Sequence, residues 1–230
     1  MLIERLQVSA FQANCYIVAD ETTGEALIID AGDEADVILD AVRRHNFTVK
    51  LIIATHGHID HVMAVGAVKD ATGAPFVMHA ADKPLLERLP DIAARWLGTP
   101  VPPPPLPDRW LVEGESVGLA GMQFRVRLTP GHSAGSVSLV WEAGDARPEV
   151  RILGFGRPLQ PPGGIVFIGD ALFAGSIGRT DLGGDFPTLE RSIHSQLFTL
   201  PDDTLVLSGH GGPTFIGHER KTNPFVGEGA

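Results

Sequence analysis

Three histidines and one aspartate lie at positions 56, 58, 61 and 60, directly after the apolar run 51–54. Such a run predicts a buried strand, so the cluster follows a strand end. Side chains two residues apart in an extended segment point the same way, which lets His56 and His58 reach one ion together. Asp60 and His61 come where the backbone turns into a helix, and they therefore point toward a second ion. The fold must bring further ligands to this strand end.

Imidazole nitrogens and carboxylate oxygens are ligands for zinc, iron or manganese. The alternative is a solvated histidine-rich turn, but so many polar groups packed together without a metal would each need another partner. The only cysteine is Cys15, which excludes an intramolecular disulfide and a thiolate-rich zinc site. Cys15 lies in an apolar segment and is expected to pack rather than to react.

Three later apolar runs are each followed by another candidate ligand. His132 follows the run 123–128, Asp170 follows 164–168 and His210 follows 204–207. If these runs are strands of a common sheet system, their ends deliver one ligand each to the same edge. The sequence therefore predicts a metal centre assembled from four strand ends.

The remaining pattern predicts alternating strands and helices. Strands are expected at 7–19, 25–29, 49–54, 75–79, 109–112, 123–128, 136–141, 164–168 and 204–207, and helices at 35–45, from the cluster to about 72, 81–97 and 187–198. The proline-rich segment 100–107 is predicted to be a surface spacer, because proline lacks the backbone donor that helices and central strands need. Residues 144–163 are predicted to be a loop with a short strand at 150–153.

Composition limits the cellular setting and the partners. A chain of 230 residues with 43% hydrophobic content can bury a large core, and we expect one domain over residues 1–230. The start has no basic segment followed by an apolar one, and no stretch approaches the ~18 apolar residues of a membrane span, which favours a soluble cytoplasmic protein. A net charge of −10 argues against a broad nucleic-acid-binding surface. The sequence leaves the oligomeric state open.

The pattern His56-x-His58-x-Asp60-His61, followed by His132, Asp170 and His210, resembles the metallo-β-lactamase superfamily over nearly the whole chain. The resemblance implies an α/β fold, a four-layer αββα sandwich with the metal site at one edge of its two sheets. It assigns His56, His58 and His132 to one divalent ion. The other ion takes Asp60, His61 and His210, and Asp170 bridges the two.

That ligand set implies a hydrolase with two divalent ions. Zinc is favoured, and iron or manganese would also fit. The two ions would share a hydroxide as the nucleophile, with Asp60 and Asp170 as the catalytic residues. A β-lactamase is disfavoured, because those enzymes often place a cysteine at a position of the second metal, whereas this chain has Asp170 and no cysteine nearby.

Segments 173–182 and 217–225 resemble the glyoxalase II branch, which hydrolyses hydroxyacylglutathione thioesters such as S-lactoylglutathione. The expected substrate is therefore a small thioester of the glutathione type. Longer members carry a C-terminal helical domain that contributes to glutathione binding, and this sequence ends soon after Phe225 without one. Arg220 and Lys221 are candidates for binding a glutathione carboxylate, and the alternative is a solvated segment.

Three further residues are candidates for supporting the ligands. Arg179 and Asp181 could form an ion pair that positions Asp170 or the loop beside it, or a loop pair without a catalytic part. Asp30 ends a strand that should reach the same edge. It could accept a hydrogen bond from a ligand imidazole or cap the following helix.

A persulfide dioxygenase of the same superfamily is the alternative function. Such enzymes resemble the Gly-Arg-Thr-Asp pattern at 178–181 and hold a single iron, which here would take His56, His132 and Asp170. The sequence does not identify the metal, the acyl group or the thiol carrier.

Overall fold

The computed structural model of the chain describes residues 1–98, 101–142, 149–156 and 164–230. The strands, in chain order, are β1 (Leu2–Val8), β2 (Ala13–Asp20), β3 (Glu25–Ile29), β4 (Thr48–Ile53), β5 (Phe76–His79), β6 (Arg109–Leu111), β7 (Ser116–Leu119), β8 (Met122–Leu128), β9 (Val137–Glu142), β10 (Arg151–Leu153), β11 (Gly164–Phe167), β12 (Leu172–Phe173), β13 (Ser176–Ile177), β14 (Thr204–Leu207) and β15 (Thr214–Phe215). The helices are α1 (Ala35–Arg44), α2 (Ile59–Val62), α3 (Val65–Thr72), α4 (Lys83–Leu97), α5 (Phe186–Ser192) and α6 (Ile216–Thr222).

The first sheet has the strand order β10-β1-β2-β3-β4-β5-β6. Its strands β3, β4, β5 and β6 are parallel, so they end at the same edge of the sheet. The predicted hairpin of residues 7–19 with 25–29 is confirmed as the antiparallel pair β2 and β3. The prediction of one strand over 7–19 is wrong at its start, because a turn with positive φ at Ser9 and Gln12 separates β1 from β2.

The second sheet has the order β15-β14-β11-β9-β8-β7. Strands β11 and β14 are parallel, and β9 is antiparallel to both β8 and β11. The carboxyl ends of β8, β11 and β14 therefore lie at one edge, as the sequence pattern predicts. The backbone N–H of Val137 donates to the carbonyl of Thr55, which joins this edge to the end of β4.

Apolar side chains form three layers around the two sheets. On β2, Cys15 and Ile17 face the cluster that contains α1, α3 and α4, whereas Tyr16 and Val18 face the second sheet. This alternation has the period of two expected of a strand buried on both faces. The outer face of the second sheet packs against α5 and α6. The four-layer αββα sandwich implied by the resemblance is thus confirmed.

Several elements differ from the sequence prediction. The helix expected after the histidine cluster is split into α2 and α3, because the N–H of Ala64 donates to the carbonyl of Ala31 instead of continuing the helix. Helix α5 continues as a π-helical turn at Ile193–Leu197. The sequence analysis does not predict helix α6 or the strands β1, β7, β12, β13 and β15.

The predicted spacer and loop lie partly within the described residues. Residues 101–107 form neither helix nor strand, in agreement with the proline-rich spacer, and residues 99–100 lie outside the described part. The short strand expected at 150–153 is β10. Of the 144–163 loop, residues 149–156 are described, and residues 144–148 and 157–163 lie outside the described part. Among the described residues, no helix combines the length and apolar character needed to cross a membrane.

Candidate metal centre

All seven predicted ligands meet at the edge where the parallel strands end. Two of them, His56 and His58, follow β4, and Asp60 and His61 lie in the first turn of α2. The others follow β8, β11 and β14 and are His132, Asp170 and His210. Four strand ends therefore supply one cluster, and both sheets contribute to it.

Three groups of donor residues are present in this cluster, each with its ligand atoms within 4.8 Å of one another. The first triad is His56, His58 and His132, the second triad is Asp60, His61 and His210, and the third group, His56, His61 and Asp170, takes members from both halves of the site. In the first, Nε2 of His132 lies 2.8 Å from Nδ1 of His58 and 3.2 Å from Nε2 of His56. In the second, Oδ2 of Asp60 lies 3.1 Å from Nε2 of His210 and 3.7 Å from Nε2 of His61. The two triads consist of the residues that the resemblance assigns to the two ions, and that assignment stays a prediction.

Asp170 lies between the two triads. Its Oδ2 is 3.6 Å from Nε2 of His132 and 3.5 Å from Nε2 of His210, and its Oδ1 is 3.5 Å from Nε2 of His61. One carboxylate thus faces imidazoles of both groups. This is the position that a bridging ligand requires.

The donor set fits divalent metal ions. Within the described part of the chain, Nε2 of His58, Nε2 of His61 and Oδ1 of Asp170 are buried without a hydrogen-bond partner. Buried polar atoms without partners are costly, and a cation at the cluster would satisfy Nε2 of His61 and Oδ1 of Asp170, which face it. Gly209 closes the site tightly, because a Cβ there would lie 2.1 Å from Oδ1 of Asp170. Nitrogen and oxygen donors of this kind suit zinc, iron or manganese.

Two imidazoles of the first triad, those of His56 and His58, are held neutral. Burial lowers the pKa of His56, and the neighbouring imidazoles lower it further. Burial and His132 lower the pKa of His58 to about 4. Neutral rings keep the nitrogen lone pair that a metal ion requires.

The second triad carries charge. Burial alone would raise the pKa of Asp60, but His61 and the hydrogen bond with His210 outweigh burial and hold it well below its usual range. The pKa of Asp170 is lowered in the same way, chiefly by His61. Burial lowers the pKa of His61 and His210, but the carboxylates around them outweigh it and raise both. The carboxylates therefore attract positive charge to this half of the site.

Asp30 orients imidazoles of both triads. Its Oδ2 accepts hydrogen bonds from Nδ1 of His61 at 3.0 Å and from Oγ1 of Thr55 at 2.7 Å, and its Oδ1 accepts from the Thr55 N–H. Oγ1 of Thr55 lies 3.1 Å from Nδ1 of His56 and can accept a hydrogen bond from that nitrogen. Asp30 has a positive φ of 57°, a left-handed conformation that aims its side chain back at the cluster. In the neutral rings, these contacts favour a proton on the outward nitrogen and leave the inward nitrogen free for a metal ion.

Arg179 and Asp181 form the predicted ion pair, with two contacts of 2.6 Å. Both side chains are more than half exposed, so the pair is weak. The contact with the cluster comes from the main chain, because the carbonyl of Arg179 accepts a hydrogen bond of 2.7 Å from Nδ1 of His132. The predicted role of the side-chain pair in positioning Asp170 therefore stays a prediction, because the contact with a ligand is made by the backbone and that ligand is His132.

Arg220 and Lys221 are not brought to the cluster. Arg220 donates to a carboxylate oxygen of Asp202 at 2.5 Å and to the carbonyl of Leu200, and Lys221 lies 3.8 Å from Asp202. Asp202 precedes β14, whereas His210 follows it, so these cations lie toward the opposite end of that strand. Their predicted contact with a substrate carboxylate has no support from this placement.

Sequence reasoning missed the buried polar residues that hold the ligand segments. Asp82 bonds to the segments around His56 and His132, and Asn14 bonds to the segment around His210. Tyr16 donates its hydroxyl to the carbonyl of Ser208 at 2.7 Å, and burial raises its pKa. A single aspartate before a helix, or a single asparagine in a strand, gave no signal of these distant contacts.

Known proteins resemble this chain over most of its length. The family model described as the metallo-beta-lactamase superfamily matches residues 8–146 and 154–210. An uncharacterized protein of Aquifex aeolicus is 41% identical over 99% of this chain and 98% of its own length. The hydroxyacylglutathione hydrolase GloC of Haemophilus influenzae is 37% identical over 98% of both chains.

Solved structures share the fold. The BLEG-1 B3 metallo-beta-lactamase has a TM-score of 0.83 with 34% identity and covers 97% of this chain and 99% of its own. TTHA1623 in a di-iron-bound form has a TM-score of 0.77 with 38% identity over 96% and 98%. ETHE1 from Myxococcus xanthus has a TM-score of 0.74 with 29% identity over 98% and 84%.

Proposed function

The chain belongs to the metallo-β-lactamase superfamily, and we propose that it is a binuclear metallohydrolase that cleaves hydroxyacylglutathione-type thioesters. The observation that carries the proposal is the pair of donor triads, His56, His58 and His132 and then Asp60, His61 and His210, with Asp170 between them. A site for one ion would need only one such triad. The proposed substrate class rests on the similarity to GloC over nearly the full length of both chains.

Two bound divalent ions would supply a water nucleophile at neutral pH and would polarise the acyl carbonyl. The residues of the chain bind and orient around that chemistry. Asp60 and Asp170 stay ionised, since neighbouring imidazoles hold their pKa values low. Carboxylates with so low a pKa are poor proton stores, so we assign them to binding cations and to accepting a hydrogen bond from the attacking water.

The substrate would approach from the side of Asp60 and His210. Their side chains are 16% and 28% exposed, whereas those of His61 and His132 are 0% and 3% exposed. On that side, the ring centroid of Phe173 lies 6.2 Å from that of His210. The open side can therefore admit an acyl group next to the second triad.

A protein nucleophile is not needed for this reaction. Cys15 is fully buried among apolar side chains, and burial raises the pKa of its thiol. A buried thiol of raised pKa supplies little thiolate. Hydrolysis should therefore proceed unchanged when Cys15 is replaced by alanine, provided that the variant folds.

Thiol release from S-lactoylglutathione tests the proposal. Metal-loaded protein should turn over the thioester, and the metal-stripped protein should lose that activity and regain it when metal is restored. Asp170→Asn should lower kcat at least 100-fold, because it removes the charge between the triads. Asp181→Asn is the matched control, since that carboxylate is exposed and reaches the cluster only through its pair with Arg179. Equal rates with loaded and stripped protein would refute the proposal.

A persulfide dioxygenase with one iron is the second candidate. Nε2 of His56 and Oδ2 of Asp170 lie 3.2 Å and 3.6 Å from Nε2 of His132, so these three residues alone can surround one ion. Oxygen uptake on glutathione persulfide by anaerobically purified protein would favour this reaction. It would leave the triad of Asp60, His61 and His210 without a catalytic part.

Hydrolysis of a β-lactam is a third outcome to measure, because a solved relative is titled a B3 metallo-beta-lactamase. The same metal-loaded preparation should be tested with nitrocefin. The proposed function predicts that the kcat/KM for S-lactoylglutathione exceeds that for nitrocefin. A higher kcat/KM for nitrocefin would contradict the proposed thioester and would indicate a β-lactam as the substrate.

A further inference from the structure

Asp82 is a buried carboxylate that lies just before α4 and outside the ligand set. Its Oδ2 accepts hydrogen bonds from the N–H of Gly57 at 2.8 Å and from Oγ of Ser133 at 2.6 Å, and its Oδ1 accepts from the N–H of Gly135 at 2.6 Å. The side chain is 0% exposed. One carboxylate thus joins two distant segments, one at Gly57, which is 25 residues away, and one at Ser133 and Gly135, which are 51 and 53 residues away.

These contacts flank the ligands of the first triad. Gly57 lies between His56 and His58, and Ser133 follows His132 directly. The approach is tight, because a Cβ at Gly135 would lie 2.7 Å from Cγ of Asp82. Charge-assisted hydrogen bonds in a buried setting fix both segments relative to each other.

Asn14 makes the corresponding contacts with the segment that carries His210. Its Nδ2 donates to the carbonyl of Ser208 at 2.9 Å and to that of Gly211 at 3.1 Å, and its N–H donates to the carbonyl of Gly209 at 2.7 Å. The side chain is 0% exposed. Asn14 therefore holds the residues on both sides of the third ligand of the second triad.

We propose that Asp82 and Asn14 are positioning residues, Asp82 for the ligands of the first ion and Asn14 for His210 of the second. The proposal rests on the binuclear site of the proposed function. Among the hydrogen bonds of the described residues, those of the Asp82 side chain reach only the segments around His56, His58 and His132. Those of the Asn14 side chain reach only Arg5, Ser208 and Gly211. The affinity for each ion can therefore be lowered separately.

The chain offers a matched control for each residue. Glu219 is also a 0% exposed carboxylate that accepts three hydrogen bonds, from the N–H of Gly175, Oγ1 of Thr214 and Nδ2 of Asn223. Asn223 is a buried asparagine whose Nδ2 donates to two oxygen atoms, as that of Asn14 does. Both controls fix α6 and the β12–β13 hairpin rather than a ligand triad.

The experiment is a titration of metal-stripped full-length chain with Co²⁺. Visible absorption follows the filling of each triad, and competition with a chromophoric chelator gives each affinity. The variants His132→Ala and His210→Ala provide reference spectra in which the first or the second triad is disrupted. Besides the shared Asp170, one ion would have three imidazole ligands and the other two imidazoles and a carboxylate. Because Co²⁺ spectra depend on the ligand set, the weakened site can be identified without measuring activity.

Asp82→Asn should lower the affinity for the first Co²⁺ ion by about 10–100-fold, the usual effect of removing a residue that hydrogen-bonds behind the metal ligands. Its spectrum at limiting Co²⁺ should then resemble that of His132→Ala. Asn14→Ala should weaken the other ion by about 10-fold, and its spectrum should resemble that of His210→Ala. The smaller effect follows because Tyr16 and Arg5 also donate to the carbonyls that Asn14 contacts. Glu219→Gln and Asn223→Ala should leave both affinities unchanged.

Equal weakening of both ions by Asp82→Asn, or the same loss in Glu219→Gln, would overturn the proposal, since either result would show a general loss of stability. If Asp82→Asn does not fold, Ser133→Ala removes only one of the three hydrogen bonds and should weaken the first ion by a few-fold. No change in Ser133→Ala would then overturn it. A wild-type chain that binds one ion would contradict the proposed function, and the Asp82 variants would decide this inference on that ion alone.

Discussion

Replacement of Asp30 by asparagine should lower the affinity of the protein for both metal ions. Asp30 contacts one imidazole directly and another through Thr55, and these belong to different triads. Asparagine has nearly the same shape, so the substitution changes hydrogen bonding without opening a cavity. The amide oxygen can replace Oδ1 and keep the bond from the Thr55 N–H.

The amide nitrogen would then face two donors, the hydroxyl of Thr55 and Nδ1–H of His61. Two of the three hydrogen bonds to Asp30 are disturbed, and hydrogen bonds to a charged acceptor are worth about 1.5–3 kcal/mol each. The unfolding free energy of the metal-free protein should fall by about 1.5–3 kcal/mol, the value of one such bond, because the bond with His61 can re-form in reverse. To avoid the clash, His61 would move its proton to Nε2, the nitrogen that faces Asp60 and Asp170.

Loss of the inward lone pair should cost about 10–100-fold in affinity for the second ion, and a similar change reaches the first ion through Thr55 and His56. Metal competition with a chromophoric chelator measures both affinities, and denaturant unfolding of the metal-free protein measures the stability. Glu219→Gln is the control, because it disturbs a buried carboxylate with three hydrogen bonds outside the cluster. Two ions bound by Asp30→Asn with wild-type affinity would refute the role given to Asp30.

Three further substitutions or titrations test other parts of the site. Gly209→Ala should abolish binding of at least one ion, because the new Cβ would lie 2.1 Å from Oδ1 of Asp170. The control Gly212→Ala should bind metal normally, since a Cβ there has no atom within 4 Å. Equal metal content in the two variants would contradict this steric argument. Arg179→Ala should change metal affinity less than about 3-fold and the unfolding free energy by less than about 1 kcal/mol, because Arg179 contacts the cluster through its main-chain carbonyl. A larger loss of affinity in chelator competition would assign a role to the side chain. In metal-free protein, an NMR titration should find the pKa of His58 at about 4, and a pKa near 6.5 would contradict its burial. The ring of the unfolded chain binds a proton below about pH 6.5, whereas the folded one does so only near pH 4. This group therefore lowers the unfolding free energy as the pH falls from about 6.5 to about 4.

The ligands could be found from the sequence because they follow apolar runs. The runs before Asp170 and His210 are short, and each is followed within three residues by a side chain able to bind metal. Parallel strands place such residues at one edge, so local pattern and topology agree. The resemblance then gave the layer order, which the three apolar clusters confirm.

Contacts between distant segments could not be predicted in the same way. Asp82 reads as an ordinary residue before a helix, and its partners lie 25 to 53 residues away. The contact of Arg179 with His132 uses a carbonyl group, which every residue has and no pattern marks. The break between α2 and α3 depends on the carbonyl of Ala31, a tertiary contact that overrides local helix preference.

The first strand was missed for a related reason. Glu4 and Arg5 interrupt its apolar alternation and suggest a polar start. In the folded chain, Glu4 is buried against His45 at 2.8 Å, and Arg5 donates to the carbonyl of Gly154. Both charges are satisfied by partners that only the tertiary structure provides.

The metal content of the protein, measured by elemental analysis after purification without added metal, tests the central claim most directly. Two complete triads joined by Asp170 predict about two divalent ions per chain, with loss of thioester hydrolysis when both are removed. About one iron per chain, together with oxygen uptake on glutathione persulfide, would contradict the binuclear hydrolase.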